Sequence, residues 1–140
     1  MKYVLILLSS AFLFACCAAG NHLQNQSLEG TWVMHEMTGV ELNKDLLTKG
    51  LPVFKFDLAE SRFSGHAGCN QLSSRITVTG AEITFGIIIR TEMACPHMEV
   101  ENAVLNILNE NKIHFEAPDS SLTLISSSGI EMRFSRDKSE

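Results

Sequence analysis

Apolar and polar residues alternate over several short stretches of this 140-residue chain. In GTWVMHEM (30–37), Trp32 and Met34 fall on one side. In LPVFKFDL (51–58), Phe54, Phe56 and Leu58 oppose Val53 and Lys55. RFSG (62–65), SRITVTG (74–80) and AEITFG (81–86) are short β-rich runs, and KIHFEA (112–117), SLTLIS (121–126) and IEMRFS (130–135) repeat the theme near the C-terminus. Thr79-Gly80, Pro118-Asp119 and Ser128-Gly129 punctuate them with turn residues. Short period-two runs broken in this way predict an antiparallel sandwich or barrel.

One segment has a different period. From Pro96 to Asn111, PHMEVENAVLNILNEN places Val100, Val104, Ile107 and Leu108 at i, i+4, i+7 and i+8, which is one helical face. Pro96 suits the first helical position. Glu99 and Glu101 fall in the first turns, where the helix dipole favours negative charge. A lone helix among strands must lay its apolar stripe over a face or an opening of the sheet. The expected fold is therefore mainly β with one helix: a small antiparallel barrel-like domain with the helix packed across it. Trp32, Phe54, Phe56, Phe85, Val104, Leu108, Leu124 and Phe134 are expected to share the core.

The N-terminus reads differently again. MKYVLILLSSAFLFACC has one Lys and then an apolar run of roughly 12 residues, too short to span a bilayer as a helix. That is the pattern of a secretory signal, expected over 1–15. Leu13-Phe14-Ala15-Cys16 looks like a bacterial lipobox, with Cys16 the lipidated residue. Two or more buried acyl chains hold a protein stably on a membrane. Residues 16–27 then read as a lipidated tether, 28–135 as the domain and 136–140 as a C-terminal tail. A neutral residue after Cys16 suits an outer-membrane location facing the periplasm, by analogy with other lipoproteins. Loss of the leader's Lys takes the formal charge from −5 to −6. An acidic chain without a basic block argues against a nucleic-acid partner.

Four cysteines are present, and Cys16 and Cys17 belong to the leader junction. Cys69 and Cys95 remain, and in an oxidising compartment a disulfide between them is the first expectation. Cys69 sits in SGHAGCNQL (64–72), where Gly65 and Gly68 allow a bend or a close backbone approach. Asn70 is expected to bond its neighbouring backbone there. Cys95 is expected at the N-cap or N′ position of the helix. Two alternatives stay open. A thiolate at a helix N-terminus is reactive, and His66, Cys69, Cys95 and His97 are residue types that zinc prefers. No G-x-S-x-G elbow, phosphate loop or facing carboxylate pair is present. No catalytic residue and no cofactor is expected.

LEGTW (28–32), FSGHAGCNQL (63–72), TEMAC (91–95), the helix and LTLISSSGIEMRF (122–134) resemble, in that order, the META or HslJ-like domain. The matching motif positions are Gly30, Thr31, Trp32, Gly65, Gly68, Cys69, Asn70, Thr91, Met93, Ala94 and Cys95. Glu92 stands where an Arg is common, and Ser74 and Ile76 replace a usual Gly and aromatic. The resemblance implies a barrel-like β domain with one helix in secreted or envelope proteins, often lipoproteins, with no established catalysis. Some bacterial pilot lipoproteins for secretins are structurally similar to that family. The expected function is thus a non-catalytic, lipid-anchored envelope protein with a binding or pilot-like role toward an envelope protein or an acyl chain. The alternative is a stress-associated envelope protein with a structural or protective role.

Overall fold

The alternation in GTWVMHEM becomes strand β1 (Gly30–Met37) in the computed structural model, which describes residues 28–110 and 112–138. The expected signal peptide, the lipidation at Cys16 and nearly all of the tether lie outside the described residues. Seven more strands follow the expected runs: β2 (Val53–Asp57), β3 (Arg62–His66), β4 (Gln71–Thr79), β5 (Glu82–Phe85), β7 (Ile113–Glu116), β8 (Ser121–Ile125) and β9 (Glu131–Arg136). A two-residue strand, β6 (Ile89–Arg90), and the helix α1 (Glu99–Leu108) complete the set among the described residues.

Eight strands close into a barrel in the order β3-β2-β1-β9-β8-β7-β5-β4, with β4 pairing back onto β3. Every pairing is antiparallel. Closure of this kind removes the free sheet edges that would otherwise invite aggregation. The extra strand β6 continues along β4 beyond β5: Ile76 to Thr79 pair with β5, whereas Leu72 faces Arg90 and Ser73 faces Ile89.

The barrel interior is solid. Trp32, Phe54, Phe56, Phe63, Phe115 and Phe134 are fully buried. The Phe54 ring lies 4.9 Å from those of both Phe63 and Phe134, centroid to centroid. A small barrel lined by large alternating side chains fills itself in this way. All eight expected core residues belong to the one buried cluster, and Val100, Val104, Ile107 and Leu108 bring the apolar face of α1 into it. At the other end of β1, the Trp32 Nε1–H donates to the Leu28 carbonyl at 2.9 Å, and the Arg136 guanidinium lies 4.2 Å over the indole ring.

Several boundaries differ from the sequence reading. The helix starts at Glu99, not Pro96, and Met98 caps it without a side-chain hydrogen bond. Residues 91–95 follow a non-helical path because Asn70 and the Cys69–Cys95 bridge hold them, so helical geometry begins only beyond that hold. Strand β4 begins at Gln71, three residues earlier than the β-branched run suggests, because Gln71 to Ser73 pair with β3 on one side while Leu72 and Ser73 meet β6 on the other. Strand β9 runs through Arg136, and the Asp137 N–H donates to the Thr31 carbonyl at 2.9 Å.

Candidate functional site

The Gly-Cys-Asn stretch forms the β3–β4 connection, and its glycines have separate causes. A Cβ on Gly65 would land on the carbonyl oxygen of Val53, across the β2–β3 ladder. Gly68 takes φ +100°, and a Cβ there would come within 2.9 Å of the Leu47 side chain. The first position demands close backbone approach and the second a left-handed backbone.

Those bends aim the next two side chains at the segment that precedes α1. Cys69 and Cys95 form a disulfide with Cα atoms 6.2 Å apart, closing 26 positions of chain. Cys69 is buried, and Cys95 is half-buried. Cys95 lies three residues ahead of the cap residue Met98, not at the N-cap or N′ position expected, so no free thiolate sits at the helix end. The zinc reading fails on the same bond, because bridged sulfurs supply no thiolate ligand. His66 instead accepts the Gly68 N–H through Nδ1 at 3.3 Å, and His97 borders a shallow cavity beside α1. Burial, with the charge of Lys49 adding to it, holds the His66 imidazole below its ordinary 6.5.

Asn70 departs from its expected role. Its side chain does not bond the neighbouring backbone; it joins three segments. Nδ2 donates to Glu101 Oε1 at 2.7 Å, and the Asn70 backbone N–H donates to Glu101 Oε2 at 2.6 Å. Oδ1 accepts from the Thr91 hydroxyl at 2.9 Å and from the Met93 N–H at 2.7 Å. The Thr91 hydroxyl oxygen in turn accepts the Gln71 N–H at 3.1 Å. Glu101, wholly buried on α1, also receives the Arg90 guanidinium at 3.4 Å. A carboxylate can be dehydrated at tolerable cost only when its lone pairs are met, and here three donors meet them.

Of the motif residues, the structure brings Asn70, Thr91, Met93, Cys69 and Cys95 together. Gly30, Thr31 and Trp32 stand apart on β1, and Ala94 is exposed. Glu101 is the residue that the sequence reading missed. Its only signal is its phase: it directly follows Val100 on the buried face, where a carboxylate demands a partner. Chemically the cluster is a clamp, since its donors and acceptors are satisfied by one another. Among the described residues, no three His, Cys, Asp or Glu side chains are grouped to hold a metal ion.

Two shallow grooves flank the helix. One, of about 350 Å³, lies between α1 and β6 and is bordered by Ile88, Arg90, Asn102, Leu105, Asn106 and Asn109. The other, of about 360 Å³, lies between the β1–β2 connection and the start of α1, with Val40, Leu46, Leu47, His97 and Val100 on its walls.

An eight-stranded closed antiparallel barrel with an appended strand and a helix whose apolar face packs into the core is the class of protein that the described residues define. The chain belongs to the META domain family, whose model matches residues 24–139. A comparison with curated proteins finds no match. Among solved structures it is similar to a protein from Burkholderia xenovorans determined by NMR, at 18% identity and a TM-score of 0.67, covering 96% of this chain and 99% of that one. It is also similar to a DUF4847 family protein from Bacteroides vulgatus, at 14% identity and a TM-score of 0.57, covering 83% of this chain and 98% of that one. At such identities the likeness concerns the fold.

Proposed function

We propose that this META domain protein is carried on the cell envelope by a lipid at Cys16 and acts there by binding, without catalysis. The observation behind the binding half is how completely the chemistry-bearing groups are used inside the fold. Cys69 and Cys95 are bridged, Asn70 and Glu101 are bonded to each other, and aromatic rings fill the barrel. What remains for recognition is the outer surface, including the two grooves beside α1. The leader pattern ending in Leu13-Phe14-Ala15-Cys16 supports the anchoring half.

The reading is tested in cells by placing a photo-crosslinking residue at Asn106, on the rim of the α1–β6 groove. A recurrent cross-linked partner, identified by mass spectrometry and absent with the probe at the exposed His35 on β1, three strands away from β4 around the barrel, is expected. A labelling pattern indistinguishable between the two positions contradicts recognition at this groove and favours a structural or protective role.

A further inference from the structure

A third surface carries a more specific message. Strand register places Asp57, Arg62 and Arg75 in one row across β2, β3 and β4, and Lys55, Ser64, Ser73 and Ile89 in the next. Phe54, Phe56 and Phe63 point inward from the same strands, so both rows face outward. Arg62 and Arg75 stand directly opposite one another, a like-charge pairing that disfavours the ladder. Among the described residues, neither has a carboxylate within ion-pair distance. Asp57, on the other side of Arg62, accepts the Glu60 N–H instead.

Beside these arginines rise two isoleucines on the strap from β5 into β6. Ile87 is 89% exposed and Ile89 68%, whereas Ile88 between them packs on the core. An open groove of about 440 Å³ joins the two features, lined by Glu60, Arg62, Ser73, Arg75, Ile87 and Ile89. In a chain of formal charge −5 this groove gathers two arginines and two exposed isoleucines, with Glu60 on its rim and Asp57 beside Arg62 in the same row.

We propose that this face is a second membrane contact, in which Ile87 and Ile89 enter the headgroup boundary of an anionic phospholipid bilayer and Arg62 and Arg75 lie among its phosphates. Side chains that project so far from the body suit insertion, and basic residues beside them suit an anionic surface. Residue 29, just after the expected tether, lies at the edge of this face: the Glu29 carboxylate accepts the Leu58 N–H at 2.7 Å and so adjoins the β2–β3 turn that bears Glu60. The inference rests on the reading that Cys16 anchors the chain. The expected tether, roughly 35 Å when extended, delivers this end of the barrel to the bilayer, where a weak contact suffices.

The test uses the expected mature chain, residues 16–140, with Cys16→Ser and Cys17→Ser, so that neither the apolar leader nor an acyl group contributes and failure of the anchor reading is read separately. It is floated with phosphatidylcholine vesicles and with vesicles in which one lipid in three is phosphatidylglycerol. Binding is expected to be roughly tenfold tighter to the anionic vesicles at low salt. That preference should disappear in an Arg62→Gln/Arg75→Gln variant and as salt is raised. An Ile87→Ser/Ile89→Ser variant should lose binding to the anionic vesicles, and hydrogen exchange at 86–90 should slow only when they are present. All these positions are outward, so thermal unfolding at or above the parent's temperature confirms the variants' fold. Equal binding to both vesicle types overturns the proposal, as does unchanged exchange at 86–90. A photo-crosslinker at position 87 that captures a protein in cells, with no lipid preference on vesicles, assigns the face to that protein and overturns it equally.

Discussion

The Asn70 side chain and backbone grip both oxygens of Glu101, at 2.7 and 2.6 Å, so the β3–β4 turn and the helix share one buried hydrogen-bonded pair. The same Asn70 accepts from Thr91 and Met93, which fixes the segment between β6 and α1. Asn70 cannot be exchanged for an isostere that loses either its donor or its acceptor. Asn70→Asp would set a second carboxylate against Glu101, and Asn70→Leu would strand the Met93 N–H.

Glu101→Ala should therefore cost about 3 kcal/mol, because it leaves two Asn70 donors without an acceptor in a dehydrated site. Glu99→Ala, two residues earlier on the exposed side of the helix, should change stability by less than about 0.5 kcal/mol. Urea unfolding of both variants checks the contrast, and equal small losses would show that Glu101 is solvated.

The bridge makes a second prediction. Closing 26 positions should stabilise the domain by about 3.5 kcal/mol in the chain-entropy account. Intact-mass analysis with and without reductant before alkylation should find Cys69 and Cys95 unreactive in the native, unreduced protein. Alkylation of Cys69 and Cys95 there, located by peptide mapping apart from Cys16 and Cys17, would remove the disulfide from the account.

How far all this was legible depends on the range of the interaction. The strand runs, the core aromatics and the helical face each rest on local periodicity, and each has its place in the barrel. The glycines at 65 and 68 also announce backbone constraint by type alone. What local pattern cannot carry is the partner of a side chain 31 positions away. Asn70 has a satisfactory local role in a turn, so nothing in its neighbourhood points to Glu101. The late helix start follows from the same long-range hold, since Pro96 fits a first turn well when Asn70 and Cys69 are ignored. Strand β6 is hidden for another reason: Ile87, Ile88 and Ile89 run consecutively and show no alternation.

Core packing supplies a third prediction. Leu108 is fully buried where α1 meets the barrel interior, so Leu108→Ala should cost roughly 2–5 kcal/mol. A loss below about 0.5 kcal/mol in denaturant unfolding would mean that the helix face does not pack as described.

Acidification should weaken the domain through His66. Its folded-state value lies below the ordinary 6.5, first from burial and then from Lys49. The unfolded chain therefore binds the proton more readily as pH falls below 6.5. The neutral-state advantage is complete above that value and is lost as pH drops toward the folded one. His66→Gln should flatten the acid side of a stability-versus-pH curve. An unchanged slope in that variant would assign the acid loss elsewhere.

The central claim, a binding domain held on the envelope through Cys16, is tested most directly by the mass of the mature N-terminus. The protein is extracted from the membrane fraction in detergent, and its N-terminal peptide is fragmented. The account predicts a chain that begins at Cys16, carrying a diacylglyceryl group on the sulfur and a further acyl group on the amine. A chain that retains residues 1–15, or that begins elsewhere with an unmodified Cys16, would contradict it.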